Sequence, residues 1–516
     1  MNRLACWLCL AQLSLVRQCG LLLLSIGIPT NCGTMAHSIK KNFLFNSAYQ
    51  ILNVIVPLIT TPYLSRTIGA TGNGIFTYTQ SIANYFVLFA QLGITNYGVR
   101  EIASCGDNRD KRSETFWNLF AMNLVVGIVV TVVYFVYSLA IGTSQLFIFM
   151  IWSLWVIGSV VDVTWLLNGC QEFKIPMVRN FCTRLAGMFF IFAFIHTEND
   201  TWAYVFAISA PYFLNALLVW PFVRHYVDYV RPVWHKMLKH LKPNLMLFIP
   251  VIATSLYTLL DKVMLGNMAG MEQTGFYDYS EKISKMPMAI ITALGAVVLP
   301  KMTEVISSGR MKEAKELVRE TMWFMQACAM ALAFGITAVA PEFVPVFFGA
   351  GYETCIPLMR ALSMVIPLIC ATNVIGVQYL VPSHRDRGFT ASVLAGALIN
   401  VLINIFAIPT YGAMGAACAT IAAELTVLIV QAWLVRGELP LLQELRDAIP
   451  FFLDGFIMLL LIRVISAGFE AMSVPKVASL IGEFLFGAAF YVFFAIAYCR
   501  RTNNPQFNKL FPKLSK

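Results

Sequence analysis

The chain has 516 residues, of which 58% are hydrophobic and 12% are charged, and its mean hydropathy is +0.71. Soluble domains carry about 25% charged residues, so this composition excludes a soluble globular protein and predicts an integral membrane protein. The formal net charge is +10, from 37 Lys and Arg against 27 Asp and Glu. In a membrane protein such an excess first indicates orientation, because basic residues accumulate in cytoplasmic loops, and we expect no nucleic acid partner.

The first 34 residues differ from the rest of the chain. Two apolar runs, residues 4–16 and 19–29, are separated by Arg17 and Gln18. Each run is shorter than the roughly 20 residues that span a bilayer, and no clean signal-peptide cleavage site precedes Met35. We expect residues 1–34 to be an overcalled start or a poorly ordered extension, with a signal peptide as the alternative.

Apolar runs long enough to cross a bilayer then follow one another, bounded by charges or by Pro and Gly turns. They lie near 43–67, 75–98, 116–141, 146–167, 179–196, 201–222, 245–267, 276–300, 321–341, 357–381, 389–408, 413–435, 449–468 and 477–498. Pro357 and Pro367 interrupt the tenth run. The predicted fold class is an all-α integral membrane protein with about 14 transmembrane helices.

Basic residues are distributed unevenly around these runs. Most of them fall in the tails and in alternate loops on one side, such as Arg109, Lys111 and Arg112 after the second run. Acids mark the opposite loops: Glu198, Asp200, Glu272, Glu342, Glu353 and Glu470. This asymmetry predicts that both termini are cytoplasmic, which requires an even number of spans.

An internal repeat relates residues 74–82 to residues 275–283. Both copies fit the pattern G-[IF]-[FY]-x-Y-[TS]-[QE]-x-I and open the second and the eighth run. Six runs separate them, so the copies run in the same direction and predict two parallel six-helix halves. The predicted domains are an N-terminal bundle over 35–222, a cytoplasmic interfacial linker over 223–244, a C-terminal bundle over 245–435, and helices 13 and 14 with a basic tail over 436–516.

The repeat also carries a polar stripe into the membrane. Asp278, Glu281, Lys282 and Lys285 in the second copy are spaced i, i+3, i+4, i+7, which is one helix face. The corresponding positions of the first copy are Thr77, Gln80, Ser81 and Asn84. Ionisable groups inside a span are costly, so a cleft between the halves is the expected place for both stripes.

Other charged residues are predicted at a similar height in the membrane. The candidate anion-binding residues are Arg66, Lys262, Lys282, Lys285 and Arg360, and these cations outnumber the nearby acids Asp261, Asp278 and Glu281. The alternative is neutralisation, because Asp278–Lys282 and Glu281–Lys285 are i,i+4 pairs.

Two carboxylates are candidates for ion coupling, Asp261 and Glu424. Glu424 has no basic neighbour on its own run, so it is either a proton or cation site or the partner of a lysine elsewhere. Asn400 and Asn404 form an i,i+4 pair that predicts hydrogen bonding between helices.

Several motifs resemble those of Wzx-type polysaccharide and O-antigen flippases, an oligosaccharide flippase family of the multidrug/oligosaccharidyl-lipid/polysaccharide superfamily. The resemblance covers about residues 40–440. It lies in four segments: Pro62-Tyr-Leu-Ser-Arg-Thr-Ile-Gly69 with Gly74-Ile-Phe76; Leu92-Gly93 through Gly98-Val-Arg-Glu-Ile-Ala103; Asp261-Lys-Val-Met-Leu-Gly266 with Gly275-Phe-Tyr-Asp-Tyr279 and Glu281-Lys-Ile283; and Ile408-Pro-Thr-Tyr-Gly-Ala-Met-Gly-Ala-Ala417.

The resemblance implies two six-helix bundles around a V-shaped cavity and no enzymatic activity, metal or cofactor. It implies transport of an undecaprenyl-diphosphate-linked oligosaccharide from the cytoplasmic to the outer leaflet of the bacterial inner membrane. Basic cavity positions of the family correspond to Arg66 and Lys262 here, and by extension to Lys282 and Lys285. Expected partners are membrane lipid and the glycosyltransferases and polymerase of the same pathway.

Three alternatives remain open. A multidrug or cation antiporter of the same superfamily would favour acids in the first span, which has none, and a peptidoglycan-precursor flippase would share the fold and the basic interior. A glycan polymerase or ligase would need a large outside loop, and the predicted outside loops are short. No G-x-x-x-x-G-K-[ST] motif for a P-loop ATPase is present.

Overall fold

The computed structural model describes residues 55–141 and 145–510, and every regular element within these ranges is a helix. The predicted extension over 1–34 and the first part of the first predicted run lie outside the described residues. The chain divides into two compact units, Met1–Ile252 and Ala253–Lys516. The all-α prediction is confirmed.

The first unit is a helical bundle with an aromatic centre. Phe76 stacks on Tyr204 with ring centroids 3.9 Å apart, and the Trp152 indole donates to Thr79 Oγ1 at 3.0 Å. Its helices are α1 (55–67), α2 (Gly69–Gln91), α3 (Ile94–Ser104), α4 (Arg109–Ile141), α5 (Leu146–Val161), α6 (Thr164–Gly169), α7 (Lys174–Phe194), α8 (Thr201–Leu218), α9 (Trp220–Tyr226) and the start of α10 (Trp234–Met268).

The second unit contains the rest of α10 and ten further helices. They are α11 (Met271–Lys285), α12 (Met288–Ser307), α13 (Met311–Phe347), α14 (Cys355–Ser363), α15 (Val365–Thr372), α16 (Asp386–Tyr411), α17 (Ala413–Val435), α18 (Leu441–Ala471), α19 (Lys476–Arg501) and α20 (Pro505–Leu510). A π-helical segment, Asn373–Leu380, continues α15. The prolines of the tenth predicted run therefore accompany a span built from short helical pieces.

Ten segments of the described chain are long and apolar enough to cross a membrane, and each coincides with a predicted run. Within their apolar windows the buried share ranges from 17% in α4 and α19 to 56% over Cys355–Leu380, so much apolar surface is not covered by protein. Such broad apolar surfaces need lipid rather than water around them. The chain is a multi-pass membrane protein.

Four of the fourteen predicted runs are not among these ten. The run over 43–67 begins outside the described residues, whereas those over 75–98, 245–267 and 276–300 carry the polar stripes or the Asp261–Lys262 pair. The run over 75–98 is also interrupted, because Leu92 and Gly93 adopt left-handed φ values of 47° and 86° between α2 and α3. The total of fourteen spans is compatible with the fold and stays a prediction.

The predicted linker 223–244 is partly extended and partly helical. Residues 223–226 end α9, residues 227–233 form no helix, and residues 234–244 are the start of α10. Arg109 at the start of α4 donates from Nε and Nη2 to the two carboxylate oxygens of Asp228, at 2.6 and 2.8 Å. This hydrogen-bonded guanidinium lowers the pKa of the Asp228 carboxyl and attaches the linker to the first unit.

Candidate functional site

A cluster of five charges joins the consecutive helices α10 and α11 of the second unit. Lys262 on α10 places its Nζ 3.0 Å from Asp278 Oδ1 and 3.0 Å from Glu281 Oε2 on α11. Lys282 Nζ lies 2.5 Å from Asp278 Oδ2, and Lys285 Nζ lies 2.7 Å from Glu281 Oε1. Cations and anions thus alternate along the cluster, with Lys262 shared between both carboxylates.

The spacing of α11 explains this arrangement. Residues three and four positions apart on a helix lie on the same face, so Asp278 and Glu281 both turn toward Lys262 while each reaches its own lysine one turn later. Gly270, at φ 93°, occupies the short turn that folds α11 back beside α10. Residues with a side chain rarely adopt that backbone conformation, so glycine at this position favours the reversal of the chain.

The two acids of the cluster are more deeply buried than its two outer lysines. The Asp278 and Glu281 side chains are 2% and 11% exposed, whereas Lys282 and Lys285 are each 33% exposed. The carboxylates offset the cost of bringing lysines into a membrane helix, and the two outer lysine side chains remain partly exposed. Anion binding by these two lysines stays a prediction. The i,i+4 neutralising contacts that the spacing allows are also present.

A second, less charged network surrounds Asp261, the residue before Lys262. The Asp261 carboxylate accepts hydrogen bonds from Asn404 Nδ2 at 2.5 Å, from Thr420 Oγ1 at 2.9 Å and from Tyr277 Oη at 3.2 Å. Asn404 also donates to Asn400 Oδ1 at 3.1 Å. Side chains from α10, α11, α16 and α17 therefore converge on one buried carboxylate, and the predicted interhelical hydrogen bonding of the asparagine pair is confirmed.

Glu424 extends the same region along α17. It lies one helical turn after Thr420, is 6% exposed, and interacts electrostatically with Lys285 of the five-charge cluster. The lysine that the sequence left unidentified is therefore Lys285. Lys285 lies between two carboxylates, those of Glu281 and Glu424, and links the cluster to α17.

Arg360 is held elsewhere in the second unit. Pro341 in α13 has no N–H, so the carbonyl of Thr337, four residues earlier, has no helical donor. Arg360 Nε on α14 donates to this carbonyl at 3.3 Å. The contact that fixes Arg360 is therefore to α13 and not to the five-charge cluster.

The first unit carries the remaining predicted residues. Arg66 is exposed near the end of α1 and donates to the carbonyl of Pro62 at 2.9 Å. In the α2 stripe, Thr77 and Ser81 are buried, whereas Gln80 and Asn84 are half-buried. Ser81 Oγ donates to the carbonyl of Thr77 at 2.8 Å, which satisfies it within its own helix.

No group of three or more His, Cys, Asp or Glu side chains in the described part of the chain could hold a metal ion. The Asp261 network instead offers a single carboxylate with amide and hydroxyl oxygens. Such a set suits a proton or a small monovalent cation better than a divalent metal, which requires more charge. Sequence reasoning missed Tyr277 and Thr420, because neither residue stands out within an apolar run.

Comparisons of the chain with known proteins identify its family. A family model described as "Polysaccharide biosynthesis protein" matches residues 39–306, just over half of the chain. A protein of Escherichia coli K12 named "Putative O-antigen transporter" is 24% identical over 407 residues, covering 78% of this chain and 97% of that protein. One of the same name from Shigella dysenteriae is 19% identical over 401 residues, covering 76% and 98%.

Solved structures agree on the fold. The lipid II flippase MurJ in an inward closed conformation matches with a TM-score of 0.67 at 15% identity, covering 90% of this chain and all of that one. An inward-facing MATE family multidrug resistance transporter of the MOP superfamily matches with a TM-score of 0.58 at 12% identity, covering 74% and 97%. The chain belongs to the polysaccharide biosynthesis protein family, and its fold is like that of MurJ and of this MATE transporter.

Proposed function

We propose that this protein is a flippase for the lipid-linked oligosaccharide units of a cell-surface polysaccharide. It moves each unit from the cytoplasmic to the outer leaflet of the bacterial inner membrane by alternating access, with both of its termini in the cytoplasm. The family and the two relatives named as O-antigen transporters support this proposal. They favour it over multidrug transport, because the likeness to multidrug transporters is one of fold alone.

The observation that carries the proposal is the exposure pattern of the five-charge cluster. The substrate class, an oligosaccharide linked to undecaprenol through a diphosphate, has an anionic centre that must cross a region of low dielectric constant. Lys282 and Lys285 supply two partly exposed cations within a predicted span, and the more buried Asp278 and Glu281 hold them in place. Ammonium–phosphate hydrogen bonds are among the stronger ones in proteins.

Lys262 has a different part in this proposal. It is 16% exposed and binds both carboxylates, so it sets the position of the two outer lysines. Arg66 and Arg360 are proposed as further anion contacts along the substrate path. The neutral stripe of Thr77, Gln80, Ser81 and Asn84 is proposed to contact the sugar hydroxyls, for which uncharged polar groups suffice.

Energy for transport is proposed to come from a proton or sodium gradient acting at Asp261. Its three donors, Asn404, Thr420 and Tyr277, hold the carboxylate in place without neutralising it. A cation or proton bound there would remove a buried negative charge one residue away from Lys262. Glu424, joined to the cluster through Lys285, is the second proposed coupling residue.

Deletion of the gene in its natural host tests the function. We expect the loss of one surface polysaccharide and the accumulation of its lipid-linked unit on the cytoplasmic side, since glycosyltransferases would still make the unit and the polymerase would lack it. Loss of viability with arrested peptidoglycan synthesis would instead identify a peptidoglycan-precursor flippase. Unchanged polysaccharide with raised drug sensitivity would identify a multidrug transporter.

Complementation with single variants tests the site. Lys282→Ala and Lys285→Ala should each lower surface glycan about tenfold or more, because each removes a charge-assisted contact to the diphosphate. Lys301→Ala is the matched control, since Lys301 on the next helix is half exposed and pairs with Glu304 of α12 and Glu313 at the start of α13. Full export by normally expressed Lys282→Ala and Arg66→Ala variants would show the assignment to be wrong.

A further inference from the structure

A separate charged group lies where α18 and α19 pack against the C-terminal part of α13. Arg463 Nη1 on α18 contacts both carboxylate oxygens of Glu342 on α13 at 2.9 Å and donates to the carbonyl of Ala338 at 3.2 Å. Ser466 also donates to Glu342 Oε1. The guanidinium and the Glu342 carboxylate are therefore already paired with each other.

Glu483 on α19 is the second carboxylate of this group. Its side chain is completely buried, and Ser479 Oγ donates to Oε1 at 2.8 Å. Oε2 is buried and makes no hydrogen bond to any residue that the structure describes. Glu483 lies seven residues into α19, about 10 Å along the helix from its first residue, so it is inside the span.

The surrounding helices leave Glu483 without a counter-ion of its own. The charged groups facing it are Glu342 from α13 and Arg463 from α18. Two carboxylates thus share one guanidinium, and Glu342 holds that guanidinium with both oxygens. An ionised Glu483 would be a buried, uncompensated charge in hydrocarbon, which is the costly case.

A proton resolves this imbalance better than a metal cation does. A bound cation needs several oxygen ligands at once, whereas the uncharged polar groups that face Glu483 are Ser479 and Ser466, and Oε2 makes no hydrogen bond in the described structure. The helices also pack closely, because a Cβ added to Gly487 on α19 would lie 2.7 Å from the Ile462 side chain on α18. Little room remains for a hydrated ion.

We propose that Glu483 is a proton-binding site of the α18–α19 pair, separate from Asp261. It holds a proton on Oε2 while Arg463 is bound to Glu342. When that pair opens, the Glu483 O–H bond breaks, the proton passes through water to form an O–H bond on Glu342, and Arg463 becomes the counter-ion of the new Glu483 carboxylate. Neither the identity of the substrate nor the coupling ion at Asp261 enters this proposal.

The contacts of Arg463 connect this exchange to the rest of the unit. Arg463 donates to the Ala338 carbonyl, and the adjacent Thr337 carbonyl is the one that holds Arg360. Both carbonyls lie just before Pro341, which removes one hydrogen-bond donor from the otherwise continuous helix α13. Loss of the proton from Glu483 therefore changes the contacts of the Ala338 carbonyl. Arg360 of α14 binds the adjacent carbonyl, so this change lies beside its contact with α13.

Infrared titration of the full-length protein in lipid nanodiscs tests the proposal. The wild type should show the C=O stretch of a protonated carboxyl group that is lost as the pH is raised. Glu483→Gln should lack this band, and Glu470→Gln should retain it, because Glu470 near the end of α18 is exposed. A Glu483→Gln spectrum that retains the pH-dependent band would overturn the proposal, and so would a wild-type band that disappears on adding sodium but not choline.

A second variant keeps the test decisive if Glu483→Gln does not fold. Ser479→Ala removes the donor to Oε1, which acts as the carbonyl oxygen of the protonated acid. The band should remain and move to higher frequency, because a carbonyl released from a hydrogen bond stretches faster. An unmoved band would assign it to another carboxyl group and overturn the proposal.

Discussion

The two copies of the repeat place polar residues at the same positions, but the side chains bond within one helix in the first copy and between helices in the second. In α2 the stripe is neutral, and Ser81 bonds to the carbonyl of Thr77 within the same helix. In α11 the stripe is charged, and Asp278 and Glu281 require Lys262 from the neighbouring helix in addition to the lysines of their own. A shared sequence pattern thus specifies a shared face and not a shared chemistry.

The difference shows how much structure a membrane charge requires. A hydroxyl in a span can use its own helix carbonyl, so it constrains no other element. A carboxylate must find a cation, and each such contact ties two helices together. The second unit is consequently the one in which α10, α11, α16 and α17 are joined by side-chain polar contacts.

Removal of the shared cation should have the largest effect. Lys262→Met leaves two buried carboxylates with one fewer partner and should lower the free energy of unfolding by about 3–5 kcal/mol. Lys282→Met should cost less, since Asp278 keeps Lys262. Denaturation in mild detergent measures both, and equal losses for the two variants would contradict the central role of Lys262.

Transfer of charge into the neutral copy should have the next largest effect. Thr77→Asp puts a carboxylate at the position of Asp278 and should destabilise the first unit by about 2.5–3.5 kcal/mol, the cost of an aspartate in a span. Adding Ser81→Lys creates the i,i+4 pair of α11 and should recover only part of the loss, because α2 lacks the third, shared lysine. Full recovery in a thermal unfolding assay would show that the i,i+4 pair alone suffices.

Asp261→Asn should have an intermediate effect on stability and a larger one on coupling. The amide keeps the size of the side chain but accepts fewer of the three hydrogen bonds, at a cost of about 1–3 kcal/mol. Glycan export by this variant should no longer respond to collapse of the ion gradient. Asn400→Ala, which perturbs the network but keeps the carboxylate, is the control, and unchanged gradient dependence in Asp261→Asn would exclude Asp261 as the coupling group.

Ser81→Ala should change little. The hydroxyl bonds only to its own helix, so its loss should cost about 0.5 kcal/mol or less. Thermal stability should match the wild type, whereas surface glycan should fall slightly, because one proposed contact to the sugar is lost. Unchanged export would argue against a contact between Ser81 and the substrate.

The smallest effect is expected at the linker, where it depends on pH. Arg109 holds the pKa of Asp228 below its usual value, so the pair stabilises the folded state above the ordinary aspartate pKa. That contribution is lost as the pH falls through the lowered value. Asp228→Asn should therefore reduce the melting temperature slightly at neutral pH and not at strongly acidic pH, and a reduction that persists in acid would point to packing instead.

Much of the fold could be predicted because hydropathy and helical period are local properties. Ten predicted runs coincide with apolar spans, and the face shared by Asp278, Glu281, Lys282 and Lys285 follows from spacing alone. The same spacing anticipated the i,i+4 contacts. Roles in binding stay predictions, since a contact within the protein does not identify a substrate.

The contacts between helices could not be predicted, because they depend on which helices pack against each other in the folded protein. Nothing local shows that Lys262 bridges two carboxylates of α11, or that Thr420 and Tyr277 reach Asp261 across different helices. Arg360 was expected to share a place with the lysines, yet a carbonyl released by Pro341 holds it on α13. The point at which the predicted linker over 223–244 becomes helical, residue 234, was likewise not visible in the sequence.

The short turn at Gly270 has a consequence for how the chain is made. It joins two helices whose charges would each be rejected by the translocon if presented alone, at roughly 2.5–3.5 kcal/mol per ionised residue. Lys262 and its two acids are within one hairpin, so they can pair as soon as α11 has been synthesised. We therefore expect α10 and α11 to enter the lipid together as a neutralised hairpin, and the order of biogenesis in this unit to be set by its ion pairs and not by hydrophobicity.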